Sequence, residues 1–398
     1  MSPAGLALVA FVIWAICKIL NVTSAAKPAQ IYGGDKKFVQ HVSSHVPDLI
    51  LPYVPTRLWG FSGHIQSVLY SLIGHIKCPW PTGNRVILNL SDGATLTYDL
   101  FVPLDLHPQG DITLAVCPGI CNSSESVYIR TFVHFAQRKG YRCTVLNHVG
   151  ALKDVKVTSP RIFAYGCPKD YAAMVEDVHA TYPETSIICI GFSLGGNIVT
   201  KYAGDSTFHK TEKILGCVSI CQGYDAGTAM DYLLQWSNFR RVYLFMMTER
   251  MKRVIMAHQA QVLCDDTKTK FLLSERLIFS AATLPELDEA YTRRVHGFDS
   301  VTALYTSSSC ITYLNGIRVP MVFINSLDDP IVPEPLLEPV KKFVENHPES
   351  MMIVTSHGGH LGFHEGGILY PNPVKWLDRI VVSLADGLVT HSQKKRTA

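Results

Sequence analysis

A continuous apolar run, Ile187 to Ile190, stops at Gly191-Phe192-Ser193-Leu194-Gly195, and a helical run from Asn197 to Tyr202 begins almost at once. Few sequence features restrict a fold as tightly. The run reads as a buried parallel strand. The pentapeptide matches G-x-S-x-G in the strand–turn–helix setting that lifts a serine to the top of an α/β sheet. Gly191 and Gly195 form the elbow, because a side chain at either place would strike the neighbouring strand or helix. The helix N-terminus behind Ser193 offers unpaired N–H groups to any oxyanion that forms there. Ser193 is therefore the candidate nucleophile.

A serine so placed needs a base and an acid, which in this setting follow it in the order Ser, Asp/Glu, His. The strand Met321 to Asn325 ends in Ser326-Leu327-Asp328-Asp329-Pro330-Ile331-Val332-Pro333. Asp329 is the expected acid, because Pro333 gives it the D-x-x-x-P spacing. Asp328 is expected to act as a cap or loop acceptor. A further strand, Met351 to Thr355, opens into Ser356-His357-Gly358-Gly359-His360-Leu361-Gly362-Phe363. His360, followed by Leu-Gly-Phe, is the expected general base, with His357 behind it. The base takes the hydroxyl proton, and the acid fixes its tautomer and stabilises the imidazolium. With sixteen histidines in the chain, one histidine alone would mean little. Three residues in order, each at a strand end, mean more. The oxyanion needs two donors. One is the N–H of Leu194. The other is expected where the strand Ile112 to Val116 runs into Cys117-Pro118-Gly119-Ile120: the N–H of Ile120, with Gly119 in reserve.

Strands and helices alternate through the middle of the chain, which predicts an α/β fold with a mostly parallel sheet and helices on both faces. Arg85 to Pro103 reads as a hairpin around Ser91-Asp92-Gly93. The expected units are an apolar anchor at 4–22, a membrane-proximal arm at 23–83, a core at 84–221 and 317–390, a helical cap insertion at 222–316 and a mobile tail at 391–398. The arm carries an amphipathic patch, 65–76, which would suit a second role on a membrane surface. The cap is rich in Met and aromatic residues, which fit either a small helical core or an adaptable channel for acyl chains.

Ala4 to Val22 carries one charge, Lys18, and has about the ~20 residues that a bilayer span needs. No Lys or Arg precedes it, which favours an uncleaved anchor over a signal peptide, although Ser24-Ala25-Ala26 would suit cleavage. The lysines at 18, 27, 36 and 37 place the catalytic domain in the cytoplasm by the positive-inside rule. The sequons at Asn122 and Asn89 are candidate glycosylation sites and argue for the other side. A third, at Asn21, lies too close to the span. The formal charge of +3 and the lack of a basic stripe exclude nucleic acid as a partner. Eleven cysteines without paired C-x-x-C spacing read as small apolar core residues, with no metal site and no cofactor implied.

Trp59-Gly60-Phe61-Ser62-Gly63-His64-Ile65-Gln66, Cys117-Pro118-Gly119-Ile120, Thr158-Ser159-Pro160-Arg161, the elbow, Asp328-Asp329-Pro330 and His357-Gly358-Gly359-His360-Leu361-Gly362-Phe363 together resemble the α/β-hydrolase superfamily. The resemblance is to its branch of YheT-like esterases and animal abhydrolase-domain proteins, and it covers nearly the whole chain. It implies Ser193, Asp329 and His360 as a triad. It also implies acylglycerols and simple acyl esters as substrates, and a type II membrane protein. Two competing readings stand beside the hydrolase. One is an acyltransferase, against which no histidine is followed five residues on by an aspartate, as an H-x-x-x-x-D motif requires. The other is a non-catalytic sensor that holds a steroid or lipid regulator.

Overall fold

The structure is a computed structural model that describes residues 2–21, 23–73, 80–208 and 212–397. Among the described residues nine strands are formed: β1 (Gln30–Tyr32), β2 (Asn84–Asn89), β3 (Thr95–Phe101), β4 (Ile112–Cys117), β5 (Arg142–Asn147), β6 (Ser186–Phe192), β7 (Ile214–Ile220), β8 (Met321–Ser326) and β9 (Ser350–Thr355). They make one sheet in the order β1-β9-β8-β7-β6-β4-β5-β3-β2. From β5 through β4, β6, β7 and β8 to β9 the neighbours are parallel. The hairpin β2–β3 and the outer strand β1 join antiparallel.

Strands β4, β7, β8 and β9 are buried at every position, and β5 and β6 at all but the first, as strands covered on both faces must be. Their side chains divide between two cores with a period of two. In β6, Ile187 and Cys189 face one core, while Ile188 and Ile190 face the other. Helices α5 (Lys169–Thr181) and α6 (Leu194–Gly204) cover the first face. The second is covered by α4 (Val127–Gln137) and the C-terminal helix Trp376–Thr397. That last helix buries Trp376, Leu377, Ile380, Val381, Leu384 and Leu388. Each contributes roughly 1.5–3 kcal/mol of apolar burial.

Two features differ from the sequence expectations. Residues 391–397 of the expected mobile tail are not a loose end, because the last helix continues through Thr397, and residue 398 lies outside the described residues. Its final turn carries Lys394, Lys395 and Arg396, which favour the negative end of the helix dipole. His391 and Lys395 also both reach Glu349, each at 2.8 Å. The arm, moreover, contributes to the sheet. Gln30 pairs with Val354 and Tyr32 with Met352, so residues preceding the hairpin supply the edge strand β1.

Helix α1 (Pro3–Leu20) is long and apolar enough to cross a membrane, and none of it is buried against the rest of the chain. Its N-cap is Ser2, whose hydroxyl accepts the N–H of Gly5, and Asn21 ends it in a left-handed conformation. The arm then supplies α2 (Lys36–Ser44) and the short α3 (Gly63–Leu69). Residues 74–76 of the expected amphipathic patch, and Val22 of the expected anchor, lie outside the described residues. Between β7 and β8 the chain carries no strand among the described residues. It forms α7 (Ala226–Leu233), α8 (Arg240–Ala257) and a series of shorter helices up to Gly316.

Candidate active site

The turn between β6 and α6 holds Ser193 at φ 54°, ψ −119°. A side chain in such a region costs of order 1–3 kcal/mol and persists only when its surroundings enforce it. Here they do. The Ser193 N–H donates to Ile220 O at 2.8 Å. A Cβ at Gly191 would lie 2.2 Å from Gly195 O, and one at Gly195 would lie 1.9 Å from Cys117 O. Neither elbow position can carry a side chain without moving backbone.

The three residues expected to work together meet. His360 Nε2 lies 2.7 Å from Ser193 Oγ, and His360 Nδ1 lies 2.8 Å from Asp329 Oδ2. The other carboxylate oxygen of Asp329 accepts the N–H groups of Ile331 at 2.8 Å and Val332 at 3.0 Å. The Asp329 side chain is completely buried. A carboxylate so enclosed needs its acceptors filled, and these contacts fill them.

The histidine loop is braced from below and from the arm. Ser326 Oγ donates to Gly359 O at 2.8 Å, and Asp328 Oδ1 accepts the Gly359 N–H at 2.8 Å. Asp328 thus serves as a loop acceptor. His357 lies 3.5 Å from Asp328 and 3.0 Å from Ser24 Oγ, behind the loop and away from Ser193. From the arm, Ser67 Oγ accepts the N–H of His360 at 2.7 Å. Buried Gln66 grips His364 at both its N–H (2.9 Å) and its C=O (3.0 Å). Gly63 is pressed so closely on the acid loop that a Cβ there would lie 1.9 Å from Asp328 O. Sequence reasoning missed Gln66 and Ser67 as supports. The only signal was their place beside the Trp59-to-Gln66 stretch.

Leu194 and Ile120 line the cavity beside Ser193, and among the described residues neither backbone N–H has an acceptor. Gly119, held in reserve as a donor, is removed from that role, since its N–H donates to the Tyr128 hydroxyl at 2.9 Å. Asn122 also needs correction. Its side chain is only 5 % exposed and is fully engaged. Asn122 Nδ2 donates to Ile120 O at 3.0 Å, while Oδ1 accepts from Ser126 Oγ at 3.1 Å and from Arg250 on α8 at 2.7 Å. A glycan has no room there, and the residue instead shapes the loop that carries Ile120. Asn89, at the end of the edge hairpin, is exposed.

The cavity over Ser193 measures about 150 Å³ and is walled by apolar side chains, among them Met230, Leu233 and Met247. Tyr165 and Tyr305 also face it, and both hydroxyls donate to Asp288 at 2.7 Å. Burial pushes the Asp288 carboxyl up to about 6. An acid whose folded pKa exceeds its unfolded value holds an extra proton in the folded state between the two, so its contribution to stability falls as pH rises from about 4 to 6. Asp288→Asn should therefore remove a downward slope of about 1.4 kcal/mol per pH unit in that window. Melting curves of parent and variant between pH 4 and 7 measure it. Parallel profiles would refute the shift.

A family profile described as an alpha/beta hydrolase fold matches residues 112–367. Abhydrolase domain-containing protein 2 of Drosophila melanogaster is 53 % identical over 98 % of both chains. A Homo sapiens protein named monoacylglycerol lipase ABHD2 is 43 % identical over 98 % of this chain and 92 % of its own. A second Homo sapiens protein, named phospholipase ABHD3, is 25 % identical over 94 % of this chain and 88 % of its own. A sheet with this strand order, a serine elbow between β6 and α6, and relatives alike from end to end lead to one assignment: the chain belongs to the α/β-hydrolase fold family.

Proposed function

We propose that the protein is a membrane-anchored serine hydrolase that cleaves carboxylic esters of lipids, with monoacylglycerol as its substrate class. The observation that carries this reading is the unbroken line Ser193 Oγ–His360 Nε2, His360 Nδ1–Asp329 Oδ2 at 2.7 and 2.8 Å. His360 takes the hydroxyl proton as Ser193 Oγ attacks the ester carbonyl. The developing oxyanion accepts the N–H groups of Leu194 and Ile120, aided by the N-terminal end of α6. The C–O bond to glycerol breaks, and the leaving oxygen takes the proton back from His360. Water, deprotonated by His360, then attacks the acyl-enzyme carbonyl, the bond to Ser193 Oγ breaks, Oγ takes the proton back from His360, and the fatty acid leaves. Asp329 holds the Nδ1–H throughout and stabilises the imidazolium.

The lipid preference is supported by the apolar wall of the cavity and by α1, which would hold the enzyme at a bilayer. The names of the relatives point the same way. The test is a series of glycerol monoesters from acetyl to oleoyl, run beside an anilide peptide. kcat/KM should rise with acyl length, since each buried methylene contributes roughly 0.8 kcal/mol. A fluorophosphonate should label Ser193 stoichiometrically. A flat chain-length profile, or faster peptide cleavage, would leave a serine hydrolase without the lipid reading. No labelling would remove the hydrolase.

A further inference from the structure

The cavity over Ser193, at about 150 Å³, falls below the ~300–1,000 Å³ of ordinary small-molecule pockets. A long acyl chain needs more room than that. A second hollow of about 840 Å³ lies on the other side of the acid loop. One wall is the acid loop, Asp329 included, and the others come from three segments that play no direct part in the triad. The last turn of α1 supplies Ile19, α3 supplies Val68, and α8 with its cap residue supplies Phe239, Val242 and Met246. Leu327 and Pro330 of the acid loop belong to its lining.

Val242 and Met246, four residues apart, share one face of α8, and Phe239 caps the helix just before them. That face is bare: they are 67 %, 46 % and 55 % exposed. Water is a poor partner for so much apolar surface, and a patch of this kind marks a place where something apolar binds. Beside it lies the end of α1, a helix with no residue buried by protein. Ile19 of α1 and Met246 of α8 wall the same groove, so whatever covers α1 meets the groove at its open edge.

One side-chain pair on the wall of this groove joins α3 to α8. His64 Nδ1 lies 2.9 Å from the Tyr243 hydroxyl, and the two rings stack. Met247, one turn on from Tyr243, faces the inner cavity instead. Burial lowers the His64 imidazole from its ordinary value. Burial, with Asp329 nearby, pushes the Tyr243 phenol up to about 12. The pair is thus a neutral hydrogen bond, worth only about 0.5–1.5 kcal/mol net, and a rotamer change in either ring would part it.

We propose that the groove between the end of α1, α3 and α8 is an acyl-chain subsite filled sideways from the bilayer, with the His64–Tyr243 pair as the door between it and Ser193. The proposal rests on the lipid-ester reading and names where the chain of that ester lies. The lipid slides along α1, lays its tail against Phe239, Val242 and Met246, and brings its ester past the pair to the nucleophile.

Two measurements on the full chain in nanodiscs test it. In the first, Ser193→Ala protein receives a monoacylglycerol with a diazirine near the end of its acyl chain. Crosslinks are expected in peptides covering 238–246 and 61–68. In the second, Met246→Trp and Val242→Trp each fill the groove. Either should lower kcat/KM for oleoyl glycerol about tenfold, the effect of leaving roughly two methylenes unburied. Butyryl glycerol should stay within about twofold of the parent, and fluorophosphonate labelling should match it, which shows that the fold and the serine survive. Crosslinks confined to α7, or equal losses on both esters, overturn the groove. A parent that crosslinks at 238–246 but hydrolyses neither ester overturns the ester reading and leaves the groove a lipid site.

Discussion

Ser193→Ala is expected to abolish ester hydrolysis while leaving the melting curve unchanged. The hydroxyl is 2.7 Å from His360 Nε2, and nothing else on the elbow can attack a carbonyl. Removing a triad serine costs about 10⁶ in kcat. The fold should survive, because Ala has the same steric demands at φ 54° and the turn is enforced by the backbone bond to Ile220 and the packing of Gly191 and Gly195. Initial rates on butyryl glycerol, with a melting curve for each protein, decide the matter. Activity within about tenfold of the parent would refute the assignment, since tenfold is only ~1.4 kcal/mol of barrier.

Asp329→Asn should cost about 10⁴ in kcat, and Asp328→Asn far less. The two loop acids are neighbours with different work. Asp329 Oδ2 faces Nδ1 of His360, and an amide N–H there donates to Nδ1 and favours the tautomer with its proton on Nε2, which can no longer accept from the Ser193 hydroxyl. Asp328 accepts one backbone N–H, from Gly359, and an asparagine keeps a carbonyl for that task. kcat measured for both variants over a range of pH gives the ranking. The reverse order would transfer the acid role to Asp328.

The elbow was legible because its message is local. Strand, glycines, serine and helix occupy one short stretch, and each residue has a steric reason to be there. The alternation from β4 to α6 was legible for the same cause, since a buried strand and an amphipathic helix each impose a period on a continuous run. What escaped depended on distant partners. Strand β1 is three residues long, with too few positions for any alternation, and is held by its pairing with β9. Ser67 acts through His360, a hydrogen bond that spans 293 residues. The sequon at Asn122 states what an enzyme could recognise. It does not state that Arg250, 128 residues on, would occupy the side chain. The Gly119 N–H was misjudged because nothing near it in sequence says that the hydroxyl of Tyr128 turns back to take it.

The arm's grip on the histidine loop has a consequence for the order in which a ribosome delivers the parts. Residues 23–73 emerge early, yet their partners come close to the end. Ser24 waits for His357, 333 residues later, and Gln66 waits for His364, 298 residues later. Pairings so far apart in sequence are slow to form, because the intervening chain must be ordered first. The hydrolase core can collapse around β4 to β8 while the arm is still unattached. His360 is positioned only after β9 has been made and the arm has closed over it. On the proposed reading, a chain assembled in this order is inert while nascent and acquires its hydrolytic power at the last stage of folding.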